Sequence, residues 1–128
     1  METKFNFNSQ VCTSIIQSEK LLALGLKKKT ADIEICCLNG EIRHLENENY
    51  QDTGITIPAW SLHRIMSILP RCVDGGYHLV MSYDHIAYRT TYDDVTTWWR
   101  GGGNLYDMIV ETIEWLIKEG EFNKKYLV

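Results

Sequence analysis

No stretch of this 128-residue chain comes near the roughly eighteen consecutive apolar residues that a membrane-spanning helix needs. Its start, Met1–Asn8, has neither the basic flank nor the apolar centre of a secretory signal. From these two absences we expect a chain that is neither embedded nor exported, and therefore cytoplasmic. Basic residues are not in surplus: thirteen Lys and Arg against seventeen Asp and Glu leave a formal net charge of -4. A dedicated nucleic-acid binder relies on excess cations to neutralise phosphates, so this balance argues against nucleic acid as a partner. The four cysteines, Cys12, Cys36, Cys37 and Cys72, lack CxxC spacing and are few for a secreted disulfide scaffold. Cys36 and Cys37 are neighbours on an expected strand and point to opposite faces, so a bond between them would strain the backbone. Reduced, buried thiols are expected, with no metal and no cofactor.

What is present is ordinary globular usage, with 45% hydrophobic and 23% charged residues. A chain of this length has room for one core. Neither a repeat nor a linker interrupts it, so residues 1–128 are read as a single α+β domain. Ser14 followed by Gln17 is a capping-box pattern ahead of Ile15, Ile16, Leu21, Leu22 and Leu24, with Gly25 as the stop. Lys27, Lys28 and Lys29 then make a short basic turn, read as a solvated connection. Asn39-Gly40 between two alternating runs predicts a hairpin with a two-residue type I′ turn, which sets Cys37 opposite Ile42 and Ile35 opposite His44. Ile33, Ile35, Cys37 and Ile42 would then share an apolar face. Residues 46–54 are polar and read as a loop, and Ile55 and Ile57 add a short strand. Ser61 caps a second helix that Pro70 ends, with Trp60 placed to staple onto Ile65. Beyond the Asp74-Gly75-Gly76 turn, a second hairpin should set Met81 opposite Ile86 and Leu79 opposite Tyr88. Thr96–Arg100 is a further strand. The last helix starts at Asn104 and carries Leu105, Ile109, Ile113 and Leu116 as its stripe. The expected architecture is an antiparallel sheet of about four to five strands built from two hairpins, with three helices packed mainly on one face.

Two candidate sites emerge. Arg100, Gly101, Gly102, Gly103 and Asn104 precede a helix N-terminus, where glycine N–H groups and a guanidinium could hold an anion. The spacing matches neither a P-loop nor a dinucleotide fingerprint, and a hinge before the helix is the plainer reading. Trp98 and Trp99 are adjacent on a strand and must face opposite ways, so one of them should remain exposed for a ligand or partner unless it covers the end of a sheet. Trp115 and Met108 share a shoulder of the last helix, either packing against a loop or the first helix or adding a partner or self-association surface. His78 should face Arg89 across the second hairpin, and His85 should share their face, yet no carboxylate in the hairpin is set to orient a base. Cys72 beside Arg71 has no histidine tied to it by sequence. With no paired carboxylates, triad or phosphate-binding lysine motif, the residues favour a non-catalytic protein that binds another macromolecule. The alternative is a small ligand-binding domain or enzyme using the glycine-rich loop. Nucleic-acid binding through Lys27–Lys29 and an exposed tryptophan is a third reading, which the net charge disfavours.

The stretches Cys12-Thr13-Ser14-Ile15, Gln17-Ser18-Glu19-Lys20-Leu21, Thr30-Ala31-Asp32, Ile57-Pro58-Ala59-Trp60-Ser61-Leu62 and Glu114-Trp115-Leu116 are short segments of the chain spread between residues 12 and 116. In them it resembles a group of small uncharacterised proteins found in Bacteroides-type bacteria and in their phages and mobile elements. The resemblance implies a bacterial cytoplasm and a phage or mobile-element setting. Its motifs are structural, and it implies no activity.

Overall fold

Helix starts follow the local chemistry of their caps. In the computed structural model, which describes residues 10–46 and 50–128, α1 spans Ile15–Ala23. Ser14 Oγ accepts from the Gln17 N–H at 3.1 Å while Gln17 Oε1 accepts from the Ser14 N–H at 2.9 Å, closing the expected capping box. α2 (Leu62–Ile68) begins at Ser61, whose Oγ accepts from the Arg64 N–H, and α3 (Leu105–Lys118) begins at Asn104. Among the described residues no helix is long and apolar enough to cross a membrane. The leading Met1–Asn8 and residues 47–49 of the expected polar loop lie outside the described residues.

The α+β class holds, and the strands divide between two antiparallel sheets instead of joining in one. β1 (Ile33–Cys36), β2 (Ile42–His44) and β3 (Thr56–Ala59) form a three-stranded sheet in the order β2-β1-β3. β4 (Cys72–Val73), β5 (Tyr77–Met81), β6 (His85–Arg89) and β7 (Thr96–Gly101) form a four-stranded sheet in chain order. Each hairpin is flanked by its own sequence neighbours: β3 takes the free side of β1, and β4 and β7 take the two sides of the second hairpin. The hairpins therefore never meet edge to edge.

The second hairpin has the expected register, with Met81 opposite Ile86, Leu79 opposite Tyr88 and His78 opposite Arg89. The first does not: Ile35 stands opposite Ile42 and Ile33 opposite His44. Gly40 has φ +74° but Asn39 is not among the positive-φ residues, whereas a type I′ turn requires positive φ at both central positions. The connection is instead the longer loop 37–40, with the Gly40 N–H donating to Cys36 O at 2.7 Å. This slip of two residues preserves the faces, but it moves Cys37 off the apolar face into an exposed loop. Of the four free cysteines only Cys12 is buried; Cys36 is half-buried, and Cys37 and Cys72 are exposed. Cys72 is exposed because β4 is a short edge strand.

Pro58 suits its place in β3. The bond from the Cys37 N–H to Ile55 O marks the odd-numbered residues of β1 as the bonded partners of β3. Pro58, opposite Glu34, thus occupies a position whose missing N–H would have pointed away from β1.

The interior forms a main cluster and a smaller one. The main cluster gathers Leu21 of α1, Ile65 of α2, Ile109, Ile113 and Leu116 of α3, and Ile86 and Tyr88 of β6 around Trp60. The smaller one comprises Cys12, Ile33, Ile35, Ile57 and Ala59. Leu22 packs against both, so the single core expected from length carries a satellite beneath the three-stranded sheet. Trp60 and Ile65 are both fully buried in the main cluster, consistent with the expected staple.

Trp60 also carries polar ties. Its indole Nε1–H donates to Thr30 Oγ1 at 2.9 Å and its backbone N–H to Thr13 Oγ1 at 3.0 Å. Next to it, Asp32 accepts from the Ser61 N–H at 2.9 Å and from Ser61 Oγ at 2.5 Å. Replacing Trp60 by Ala should destabilise the chain by about 3–5 kcal/mol, as for other large core aromatics, measured from urea unfolding midpoints. Trp60→Phe should cost less, chiefly by leaving the Thr30 hydroxyl without its indole donor.

Tyr88 gives a pH signature. Its hydroxyl donates to Pro70 O at 2.8 Å, and burial, with a smaller contribution from Cys72, pushes the phenol well above the ordinary tyrosine range. The fold favours the neutral phenol. Its contribution is therefore complete below the unfolded pKa of about 10 and is lost as pH rises beyond it. Tyr88→Phe should flatten the loss of stability between about pH 10 and pH 11.5 while costing about 1 kcal/mol at neutral pH. Urea midpoints of both proteins at the two ends of that range check this.

Candidate functional site

β7 separates the two adjacent tryptophans, as strand geometry requires. Its pairing with β6 sets Trp98 opposite Tyr88 and Trp99 opposite Ala87. Tyr88 is a core residue on the inner face, so Trp98 turns towards α3. There its Nε1–H donates to Thr112 Oγ1 at 3.0 Å, and its ring stacks on Trp115 with centroids 4.9 Å apart and planes at 17°. The Arg100 guanidinium lies 3.8 Å from the Trp98 ring centroid on this side, and its Nε reaches Glu111 Oε2 at 3.4 Å. Glu114 pairs with Lys118 at 3.7 Å, four residues along the helix. A depression of about 210 Å³ runs between these groups. Its carboxylates and cations are matched with one another, and among the described residues no hydroxyl, thiol or imidazole side chain lines it.

The candidate partner residues therefore separate. Met108 is buried in the main cluster, and Trp115 spends its ring on Trp98 and on Tyr88, 5.7 Å away. The shoulder of α3 that they were expected to share is packed against the sheet. Trp99 remains, 55% exposed on the outer face. It lies along the sheet near the His85 ring, with centroids 6.4 Å apart and planes at 21°.

The glycines have a steric use that spacing alone did not reveal. A Cβ on Gly101 would come within 2.6 Å of the Trp99 ring and 3.0 Å of Asp84 O. Gly101 thus makes room for the indole to lie flat. Gly102, at φ +79°, donates its N–H to Asp84 O at 3.2 Å. The structure does not turn Arg100 towards this loop, since its guanidinium is held by Trp98, Glu111 and the Trp99 carbonyl. Asn104 Oδ1 accepts from the Asp107 N–H at 3.1 Å, and Asp107 places a carboxylate in the first turn of α3. That carboxylate already answers the positive end of the helix dipole. Gln17 Nε2 bonds both Asn104 Oδ1 and Asp107 Oδ1, tying α1 to the same helix start.

On the outer face Val80, Ala87 and Trp99 stand in one row across three strands. His78 and Arg89 stand on one side of the row, and His85 stands on the other. Ser82, Asp84 and His85 touch one another: Ser82 Oγ donates to Asp84 Oδ1 at 2.6 Å, and both oxygens meet His85 Nδ1, at 2.7 and 2.9 Å. In a nucleophile–base–acid relay the hydroxyl and the carboxylate bond opposite ring nitrogens. Here they share one, so the group closes the hairpin turn and does not activate a nucleophile. Hydrogen bonds from Ser82 and then His85 hold the exposed Asp84 carboxyl below its usual value. Cys72 stands opposite His78 in the β4–β5 ladder, a pairing hidden from sequence because β4 is two residues long. Among the described residues no group of three or more His, Cys, Asp or Glu is placed to hold a metal.

Comparison with protein-family models, curated proteins and solved structures returns no match. The functional reading therefore rests on side-chain geometry.

The division of the tryptophans is measurable. Trp99→Phe should remove most of the iodide-quenchable emission, whereas Trp98→Phe should leave it largely in place. Trp98→Ala should lower stability by about 2–3 kcal/mol through loss of the Trp115 stack and buried area; a smaller change than for Trp99→Ala would contradict the assignment of faces.

Proposed function

We propose that this chain is a non-catalytic protein–protein interaction module whose contact surface is the outer face of the four-stranded sheet, centred on Trp99. The observation that carries the reading is the exposure of that indole, 55%, while Trp60, Trp98 and Trp115 each have internal partners. A large flat ring beside backbone and imidazole offers contact area at little cost in side-chain entropy, which is why tryptophan is enriched among the residues that dominate interfaces. Ala87 lies buried in the same row, so the half-buried Val80 beside the indole and the flanking His78, His85 and Arg89 supply the rest of an apolar centre with a polar rim. The sequence resemblance supports a bacterial cytoplasm and a phage or mobile-element origin, so a phage or host protein is the proposed partner. An anion at the glycine-rich loop draws no support from Arg100, whose guanidinium is held by Trp98 and Glu111, or from Asp107 at the helix start.

The test is affinity capture from a Bacteroides lysate with the wild-type chain, Trp99→Ala and Trp98→Phe in parallel. A protein held by the wild type and by Trp98→Phe should be recovered at least about thirtyfold less with Trp99→Ala, the loss expected for a central interface residue. Equal recovery on Trp99→Ala, with its melting temperature unchanged, would refute this face as the contact surface.

A further inference from the structure

Away from both tryptophan faces, the fold assembles a groove that no single stretch of sequence announces. Lys27 and Lys29 come from the turn after α1, Arg64 from α2 and Lys125 from the short 3-10 helix Lys124–Tyr126 near the end of the chain. Together with Thr30 and Tyr126 they line a groove of about 440 Å³, within the range of small-molecule sites. Backbone contacts hold these segments together. Leu26 bridges to Leu127, the Lys27 N–H donates to Tyr126 O at 2.8 Å, and the Val128 N–H donates to Gly25 O at 2.8 Å. Thr30 Oγ1 donates to Lys27 O at 2.6 Å and accepts from the buried Trp60 indole, so the lysine turn is braced from the core. The Lys125 ammonium lies over the Tyr126 ring, 5.0 Å from its centroid.

The charge pattern needs a reason. The chain carries a formal net charge of -4, yet among the described residues no carboxylate lines this groove. The neighbouring Lys28 is paired with Asp52 at 3.1 Å and points outside the lining, while Lys27, Lys29 and Lys125 make no ion pair among the described residues. Cations gathered within a Debye length of one another repel, and a bound anion relieves that repulsion. Ammonium groups on flexible stems suit phosphate oxygens as point-charge donors. Ile68 and the Tyr126 ring provide apolar wall for the organic part of a ligand.

We propose that this groove binds a small molecule bearing two or more phosphate groups. The site is independent of the Trp99 face. Its test uses inorganic pyrophosphate and tripolyphosphate as probes on the whole chain, with sodium chloride at matched ionic strength as the reference, read by thermal shift and titration calorimetry. Tripolyphosphate should raise Tm by several degrees above the chloride reference. Lys27→Ala and Lys125→Ala should each weaken the binding by about tenfold, as for loss of a charge-assisted hydrogen bond. Lys28→Ala, which removes the same charge outside the lining, and Trp99→Ala should stay within about twofold of wild type, a change under 0.5 kcal/mol. The proposal is overturned if neither probe stabilises the chain beyond chloride. It is also overturned if Lys28→Ala weakens binding as much as Lys27→Ala, or if only a single-stranded oligonucleotide binds, with affinity growing with its length.

Discussion

The fold depends on the way the chain leaves the three-stranded sheet. At Trp60 and Ser61 it passes from β3 into α2, and three separate segments fasten the passage: Thr13 before α1, Thr30 after it, and Asp32 at the start of β1. Each tie satisfies a polar group that burial would otherwise leave costly, and Trp60 is itself fully enclosed. One hub thereby fixes where the small sheet sits relative to α1 and α2. Because Thr30 belongs to the lysine turn, the same hub also positions Lys27 and Lys29.

Local chemistry made much of this legible in advance. Caps at Ser14, Ser61 and Asn104 lie where short-range hydrogen bonding puts them, and the second hairpin is in register because alternation and a tight turn agree. The first hairpin slipped because Asn39-Gly40 satisfies more than one loop geometry, and only Gly40 takes positive φ. Two sheets replaced one because edge choice is decided by tertiary neighbours, a matter on which periodicity is silent. β4 is too short to leave a pattern of its own.

The candidate site was legible to a similar depth. That Trp98 and Trp99 oppose each other follows from strand geometry; which of them faces α3 depends on the inner face of β6, hence on Tyr88. Met108 looked like a shoulder residue because a helical wheel does not reveal how far a sheet wraps around the helix. Gly101 could be noticed but not interpreted, since its neighbour across the face is the indole two positions earlier. The lysine groove was out of reach, because Arg64 and Lys125 are far from Lys27 in sequence: the backbone pairing of residues 25–27 with 126–128 brings in Lys125, and the Trp60–Thr30 tie sets the start of α2 beside the lysine turn. The signal available was the second basic pair, Lys124-Lys125.

Pro58 has a consequence beyond its own strand. With a ring nitrogen where an outward donor would stand, the side of β3 away from β1 carries an interrupted ladder, and its outward Thr56 carbonyl already accepts from the Tyr50 hydroxyl at 2.7 Å, while the opposite margin, β2, is lined by Arg43 and His44, both exposed. Interrupted ladders and charged margins are how natural sheets resist growing by accretion of further strands. Among the described residues the small sheet therefore ends in a proline-interrupted, partly covered margin on one side and a charged one on the other, which leaves a crowded solution of this protein little template there on which to polymerise.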